Sequence, residues 1–406
     1  MVEDLPRVLL TNAEERSILA ACRSLHTAGY AISAAAFNRF AATHWSRDCS
    51  ERLRMADPGQ DAELFVEDLR QQLTRRRYAV LVPGSDRALL AISQRRERLQ
   101  DLTRLGLPTP TDVERSLNRE IMAEVAATVG FSPAESIRCT SLEEGRTAAR
   151  AVGFPLILKA PRTAAHVDDA VQKTPSTQRV ATEQELAEAI PAYPGVFLVQ
   201  KVESGLPLSF GGVIAGGRLL GVAVARYRRT WPVSAGNAAF AETVAASPML
   251  EEMVRALMVS LGWEGIFELE LIQAAGDRFV PIDLNPRPYG SMTLAAAAGA
   301  PLPAIWCNWL LGHDPRPMRA RPGYRYRCED ADLRHLLWQL RHGNLCAALD
   351  TARPRRRVAH AYFRSADPLP LFMHGLSLAR SRANMDKSTI DSAPPPIGNG
   401  RKPPPA

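Results

Sequence analysis

Residues 265–289 read GIFELELIQAAGDRFVPIDLNPRPY, and here side chains suited to chemistry recur at short, regular spacing. Glu268, Leu269, Glu270 and Leu271 alternate polar and apolar as a half-buried strand does. Gly276-Asp277 marks a turn, and residues 279–284 read as the returning strand. Side chains on a strand repeat every second residue, so Glu268 and Glu270 share one face, as do Asp283 and Asn285. Arg287 follows behind the stiff Pro286. The pattern is a cluster of hard oxygen donors with a guanidinium beside it, the donor set that suits Mg²⁺ on nucleotide phosphates. A bare acidic hairpin also fits a solvated surface. The run Asp-Leu-Asn-Pro-Arg directly after an apolar strand favours the site.

Such a hairpin needs a framework, and the chain offers several units. Strand, helix and strand signals over 7–11, 14–25 and 30–33 open an α/β sheet. The turn Thr11-Asn12-Ala13-Glu14-Glu15 lacks GxGxxG, so nothing in it asks for a pyrophosphate. A helix over 62–75 leads to a strand over 78–82 and the turn Pro83-Gly84-Ser85-Asp86. Ser85 or Asp86 caps the next helix, or that polar loop lines a ligand crevice at a strand's carboxyl end. Beyond residue 116 the pattern changes to α+β. Helices are expected over 118–129 and after Thr140-Ser141, with strands over 153–159 and 196–202 around a helix over 183–190. Lys159 ends an apolar strand, where it either snorkels to the surface or serves a site. Strands over 208–214 and 218–225 lead to the acidic hairpin. Helices over 292–298, 302–311, 330–340 and 346–352 follow, with Trp306 and Trp309 as core residues and a short element from Asp367. The expected partition is an open α/β domain over 1–115, an α+β module over 116–312, a small helical extension over 313–384, and a disordered Pro-rich tail over 385–406.

Bulk composition excludes several classes. The 406 residues are 46% hydrophobic and 23% charged, and no run approaches the roughly 18 apolar residues of a membrane span. No signal peptide is read at the start, so the expected location is the cytoplasm. Six cysteines lie scattered without zinc-ligand spacing and are expected as buried thiols. The net charge of +7 comes from 50 basic and 43 acidic residues mixed along the chain, not from a basic stripe, which argues against nucleic acid.

With Lys159, the step Gln200-Lys201-Val202, Glu270 and Asp283-Leu284-Asn285-Pro286-Arg287 in this order, the chain resembles the ATP-grasp superfamily, near its carboxylate-amine ligases and carbamoyl-phosphate-synthase-like members. The resemblance implies a pre-ATP-grasp domain followed by a two-subdomain ATP-grasp module over roughly 116–311. It also implies transfer of the ATP γ-phosphate to a carboxylate, giving an acyl phosphate that an amine attacks. Cofactor expectations are ATP with Mg²⁺ or Mn²⁺, two ions, held by Glu270, Asp283 and Asn285, with Glu268 as a secondary candidate. Arg287 and Asn285 would act on the transferring phosphoryl group, and Lys159 and Arg119 would bind phosphates. Gln200, Lys201 and Val202 would meet the adenine and Glu203 the ribose.

This sequence departs from the family pattern in three places. No glycine follows Lys159 until Gly195, so a phosphate cover has to come from Arg162, His166 or Lys173, or be absent. Arg119 stands where relatives carry Asp-Lys, and Asp283 where most have Glu. Arg226, Arg228 and Arg229 around Tyr227, ahead of Ser234-Ala235-Gly236-Asn237, either form a solvated strand face or receive an anionic substrate. Partners implied are small carboxylate and amine substrates, without nucleic acid or membrane, and assembly is open between monomer and homodimer. The alternatives to amide ligation are nucleotide binding without turnover, and carbamoyl or thiol transfer.

Overall fold

Four short strands, three of them apolar, build the first sheet. In the computed structural model, which describes residues 5–167, 170–173, 175, 177–233 and 236–391, these are β1 (Arg7–Leu10), β2 (Ala31–Ala36), β3 (Glu51–Arg54) and β4 (Val80–Val82), with helices α1 (Arg16–Thr27), α2 (Ala62–Arg75) and α3 (Asp86–Gln94) between and after them. The order is β3-β2-β1-β4, all parallel. Val8, Leu9 and Leu10 are fully buried, as expected of strands covered on both faces. From β1 the chain leaves toward β2, and from β4 it leaves toward α3, so a crevice opens between their carboxyl ends. Gly84 allows the two exit loops to touch: its amide donates to Thr11 Oγ1 at 3.1 Å, and a Cβ there would strike the Thr11 carbonyl. Ser85 caps α3 by accepting from the Ala88 amide at 3.2 Å.

Next come α4 (Pro110–Ser116), α5 (Arg119–Thr128), β5 (Ser136–Cys139), α6 (Leu142–Val152), β6 (Leu156–Lys159), the hairpin β7 (Ala164–Val167) with β8 (Ala170–Lys173), β9 (Gln178–Val180), α7 (Glu183–Ala189) and β10 (Phe197–Lys201). The order β5-β10-β6-β9 makes a small antiparallel sheet. Its apolar face, including Leu156, Leu158, Phe197 and Val199, packs with Ala148, Ala149 and Leu186 of α6 and α7.

The large sheet begins with β11 (Leu206–Ala215), β12 (Arg218–Trp231) and β13 (Asn237–Val244) and continues, after α8 (Pro248–Leu261), with β14 (Gly265–Gln273) and β15 (Phe279–Asn285). Helix α8 is well specified locally. Ser247 caps it through the Leu250 amide, Pro248 occupies its first turn, and Gly262 ends it at φ 74°. Its stripe of Leu250, Val254, Leu257, Met258 and Leu261 packs in one core with Leu269, Leu271, Phe279 and Leu284 of the acidic hairpin. One face of the hairpin is thereby buried in oil and the other left for polar groups. Each fully buried side chain of this size contributes about 1.5–3 kcal/mol.

After α9 (Met292–Ala297) and α10 (Leu302–Leu310) come β16 (Met318–Arg319), β17 (Arg325–Arg327), α11 (Glu329–Arg341), α12 (Leu345–Ala352), β18 (Val358–His360) and α13 (Leu369–Asp391). The large sheet runs β15-β14-β11-β12-β13-β17-β18, with β16 beside β12. The strands β3, β5, β7, β8, β9, β13, β16, β17 and β18 were not anticipated. The short element expected from Asp367 is instead a helix of 23 residues. Of the tail, residues 392–406 lie outside the described residues. Among the described residues no helix is long and apolar enough to cross a membrane. The thiols of Cys22, Cys139, Cys307 and Cys328 are buried as expected, whereas Cys49 is half-buried and Cys346 is exposed on α12.

The C-terminal part is fastened to the first sheet. Asp367, 1% exposed, accepts from Arg23 Nη2 at 3.0 Å, Ser46 Oγ at 2.6 Å and the Arg47 amide at 3.0 Å. Removing one member of a buried pair strands the other charge at a cost of about 3–5 kcal/mol. Asp367→Ala is therefore expected to lower the urea midpoint by that order of stability, while Asp314→Ala, whose partner Arg218 is exposed, leaves it within about 0.5 kcal/mol. Equal midpoints for the two variants would count against the tie.

Candidate functional site

The register of the acidic hairpin sets Glu268 opposite Asn285 and Glu270 opposite Asp283. With Leu269, Leu271 and Leu284 turned into the core, all four polar side chains share the remaining face. Glu268 is nearly fully buried. Its Oε1 accepts from Ser209 Oγ at 2.6 Å and Tyr227 Oη at 3.3 Å, and its Oε2 from Asn285 Nδ2 at 3.2 Å. Glu270 accepts from Tyr227 Oη at 3.1 Å. Burial, then the charges of Glu268 and Asp283, push the Glu270 carboxyl up to about 8, and burial raises Glu268 as well.

Cations reach this face from three separate elements. Arg119 is the first residue of α5, held there by Asn118, whose Oδ1 accepts from the Glu120 and Ile121 amides. Its guanidinium forks onto Asp283, Nε to Oδ1 at 3.0 Å and Nη2 to Oδ2 at 2.8 Å, while Nη1 donates to the Ala160 carbonyl. Burial would raise Asp283, but Arg119 outweighs it and holds the carboxyl below its usual value. Lys159, at the end of β6, donates from Nζ to the Ile282 carbonyl at 3.1 Å. Burial and the neighbouring Arg119 bring its pKa down to about 8. Arg287 donates from Nε to Asp86 Oδ1 at 2.6 Å and from Nη2 to Asn285 Oδ1 at 3.1 Å, tying the hairpin's exit to the first turn of α3.

The other sequence candidates scatter more widely. Gln200 donates to Ser136 Oγ at 2.7 Å within the small sheet, and the exposed Lys201 pairs its amide with the Glu135 carbonyl. Val202 and Glu203 form the step from β10 to β11, with Glu203 accepting from Arg278 at 2.7 Å. Arg162 stands opposite Asn118 in an isolated bridge. The side chains of His166 and Lys173, and residues Ser234 and Ala235, lie outside the described residues. The hairpin β7–β8 follows Lys159 where a Gly-rich loop was missed, and it packs on α3.

The arginine reading of β12 needs correction. A cavity of about 390 Å³ lies against the acidic face, and none of Arg226, Arg228 and Arg229 lines it. Arg228 pairs with Glu242 at 3.2 Å, and Arg229 is buried in a fork on Asp332 at 2.7 and 3.0 Å. Strand alternation turns Arg226 and Arg228 away, since Tyr227 between them faces Glu268 and Glu270, while Arg229, of the same parity as Tyr227, reaches Asp332 where the strand register shifts on either side of it. Sequence reasoning also missed Ser209 and Ser291 beside Glu268, and Glu14, Arg16, Asp330, Tyr362 and His374 around the cavity. Period-two spacing along β11 and β12 could have found Ser209 and Tyr227. Nothing local marks the others. The Asp86 loop, weighed from sequence as a crevice wall, does line the cavity.

No family model matches the chain, and no curated protein matches it. Solved structures do. N5-carboxyaminoimidazole synthetase from Staphylococcus aureus superposes with a TM-score of 0.58 at 11% identity, over 79% of this chain and 80% of that one. An L-amino acid ligase from Bacillus licheniformis gives 0.60 at 14% identity, over 79% and 78%. The biotin carboxylase domain dimer of the Hydrogenobacter thermophilus 2-oxoglutarate carboxylase, in complex with MgADP, ADP and bicarbonate, gives 0.59 at 16% identity, over 79% and 73%. All three are ATP-grasp enzymes. This chain has the ATP-grasp fold.

Within the ATP-grasp fold, the small sheet meets the acidic hairpin of the large sheet through Lys159, which donates to the Ile282 carbonyl. Among the described residues no three His, Cys, Asp or Glu side chains form a ready metal cage. The donor set Glu270, Asp283 and Asn285, two carboxylates and an amide, nevertheless suits a hard cation, and Glu270 is raised by burial and then by the charges of Glu268 and Asp283. That shift has a stability signature. The folded value of about 8 lies above the ordinary 4.5, so the stability that neutral Glu270 contributes is full below about 4.5 and is lost as pH rises through about 8. Melting temperatures of metal-free Glu270→Gln are expected to decline less than those of the wild type between pH 5 and 8. Parallel pH slopes would contradict the buried-charge account.

Proposed function

We propose that the protein is an ATP-dependent ligase that activates a carboxylate as an acyl phosphate and joins it to an amine. What supports this reading is one convergence: Lys159 and Arg119 from the small-sheet side and Glu270, Asp283, Asn285 and Arg287 from the large sheet meet on one cleft. Phosphoryl transfer asks little of a protein beyond alignment and charge neutralisation, and this set is made for both.

ATP lies between the two sheets, with adenine at the Gln200–Val202 step and ribose near Glu203. Lys159 and Arg119 hold phosphate oxygens. Glu270, Asp283 and Asn285 would hold Mg²⁺, which neutralises phosphate charge when bound. Arg287, fixed by Asp86 and Asn285, faces the negative charge that grows as a substrate carboxylate oxygen attacks the γ-phosphorus and ADP leaves. The buried cleft keeps water from the acyl phosphate until the amine arrives.

One observation favours a second reading, nucleotide binding without turnover: Arg119 already engages both oxygens of Asp283. A single assay separates the two. ATP, Mg²⁺, pooled carboxylic acids and hydroxylamine are expected to yield ADP and a hydroxamate, whose mass identifies the acid. Asp283→Asn is expected to lower that rate about 10²–10³-fold, roughly 3–4 kcal/mol, with the fold retained by circular dichroism. ATP binding without ADP release from any pool would replace the ligase reading with the second one. A product formed on a thiol or through carbamoyl transfer would redirect the acceptor chemistry.

A further inference from the structure

Opposite the acidic hairpin, the cavity is closed by residues that phosphoryl transfer does not use. Asp330 from the first turn of α11, Tyr362 after β18 and His374 on α13 form one wall. The His374 ring stacks on Tyr362 with centroids 3.8 Å apart and planes 11° apart. Its Nε2 stands 3.7 Å from Asp330 Oδ1, too far for a hydrogen bond, and is buried without any other partner. Asp330 is set in turn: Cys328 Sγ donates to its Oδ1 at 3.2 Å, and Arg16 donates to Cys328 Sγ at 3.1 Å. The facing wall is the loop after β1. There Glu14 accepts from Asn12 Nδ2 at 3.4 Å through Oε1, while its Oε2 is buried with no partner. Asn12 sits at φ 57°, in the left-handed region, and its Oδ1 accepts from Thr11 Oγ1 at 2.8 Å. Burial pushes the Glu14 carboxyl up to about 7.

Two buried polar atoms without a hydrogen bond, a carboxyl oxygen and an imidazole nitrogen, thus face a cavity continuous with the acidic hairpin. We propose that this end of the cavity is the acceptor subsite and takes a primary amine, whose ammonium docks on Glu14 and gives up a proton to His374 Nε2. The inference rests on the ligase reading above. The ammonium R–NH₃⁺ transfers one proton to His374, and the freed lone pair forms the C–N bond at the acyl carbon. The bond from that carbon to the phosphate oxygen breaks, and the second amine proton leaves on inorganic phosphate. Asp330 Oδ1, 3.7 Å from Nε2, sets a carboxylate beside the imidazolium that this transfer forms. Helix α13 therefore belongs to the site, although it lies in the last part of the chain.

The experiment uses the full-length protein and the carboxylic acid identified by hydroxamate formation. Hydroxylamine is already neutral at pH 7.5 and needs no base, whereas primary amines arrive as ammonium ions. Wild type and His374→Gln are each given hydroxylamine or a pool of primary amines, the amino acids and short polyamines, and products are weighed by mass spectrometry. Amide formation by His374→Gln is expected to fall about 10²-fold, while hydroxamate formation falls less than threefold and so reports an intact fold and ATP half. Glu14→Gln is expected to raise KM for the amine with little change in the hydroxamate rate. Equal amide rates in wild type and His374→Gln would overturn the assignment of the base. A wild type that makes hydroxamate but no amide from any primary amine would overturn the amine subsite while leaving the ligase reading standing. A wild type that makes no hydroxamate removes the ligase reading and this inference with it.

Discussion

Three carboxyl groups crowded into one cluster, Glu268 buried and Glu270 and Asp283 half-buried, are the constraint around which the molecule is arranged. Glu268, Glu270 and Asp283 repel one another, and a chain left to minimise energy locally would separate them. Their strand register does not permit that. The apolar underside of the hairpin, packed on α8, fixes which residues face the cleft, and a one-residue slip would turn Leu269 and Leu271 outward. Hydrophobic burial behind the strands thus keeps the electrostatic conflict in front of them.

The conflict is answered from elsewhere in the chain. Arg119 comes from α5, Lys159 from the small sheet, and Arg287 is steadied by Asp86 of the first sheet. The helices of Arg119 and Asp86 share a continuous apolar core with the hairpin, whereas Lys159 comes from a sheet with its own core, so its contact ties that sheet to the cluster. A nucleotide entering with its own negative charge and a divalent cation would meet groups already aligned by that conflict, which is preorganisation in the electrostatic sense.

The hairpin and Lys159 were legible because both depend on local patterns, strict alternation in one case and a lone cation closing an apolar run in the other. Ser85 as a helix cap was legible for the same reason. The strands β13 and β17 were not, since Ala-rich and Arg-rich segments carry little apolar periodicity and are strands only because the sheet edge is there to receive them. The arginines of β12 misled because composition was weighed ahead of parity: one tyrosine between two of them takes the inward position. The wall of Asp330, Tyr362 and His374 left no trace in the sequence, as its members lie far apart and meet only through tertiary packing.

The pair between Arg23 and Asp367 has a bearing on how the chain is made. Its partners stand 344 positions apart, so at about 5–20 residues per second a ribosome delivers the second some 17–70 s after the first. Over that interval α1 carries a guanidinium whose burial has no counter-charge, although the strands of the first sheet are complete by residue 82. One buried contact of the amino-terminal unit thus waits for the far end of the chain to arrive.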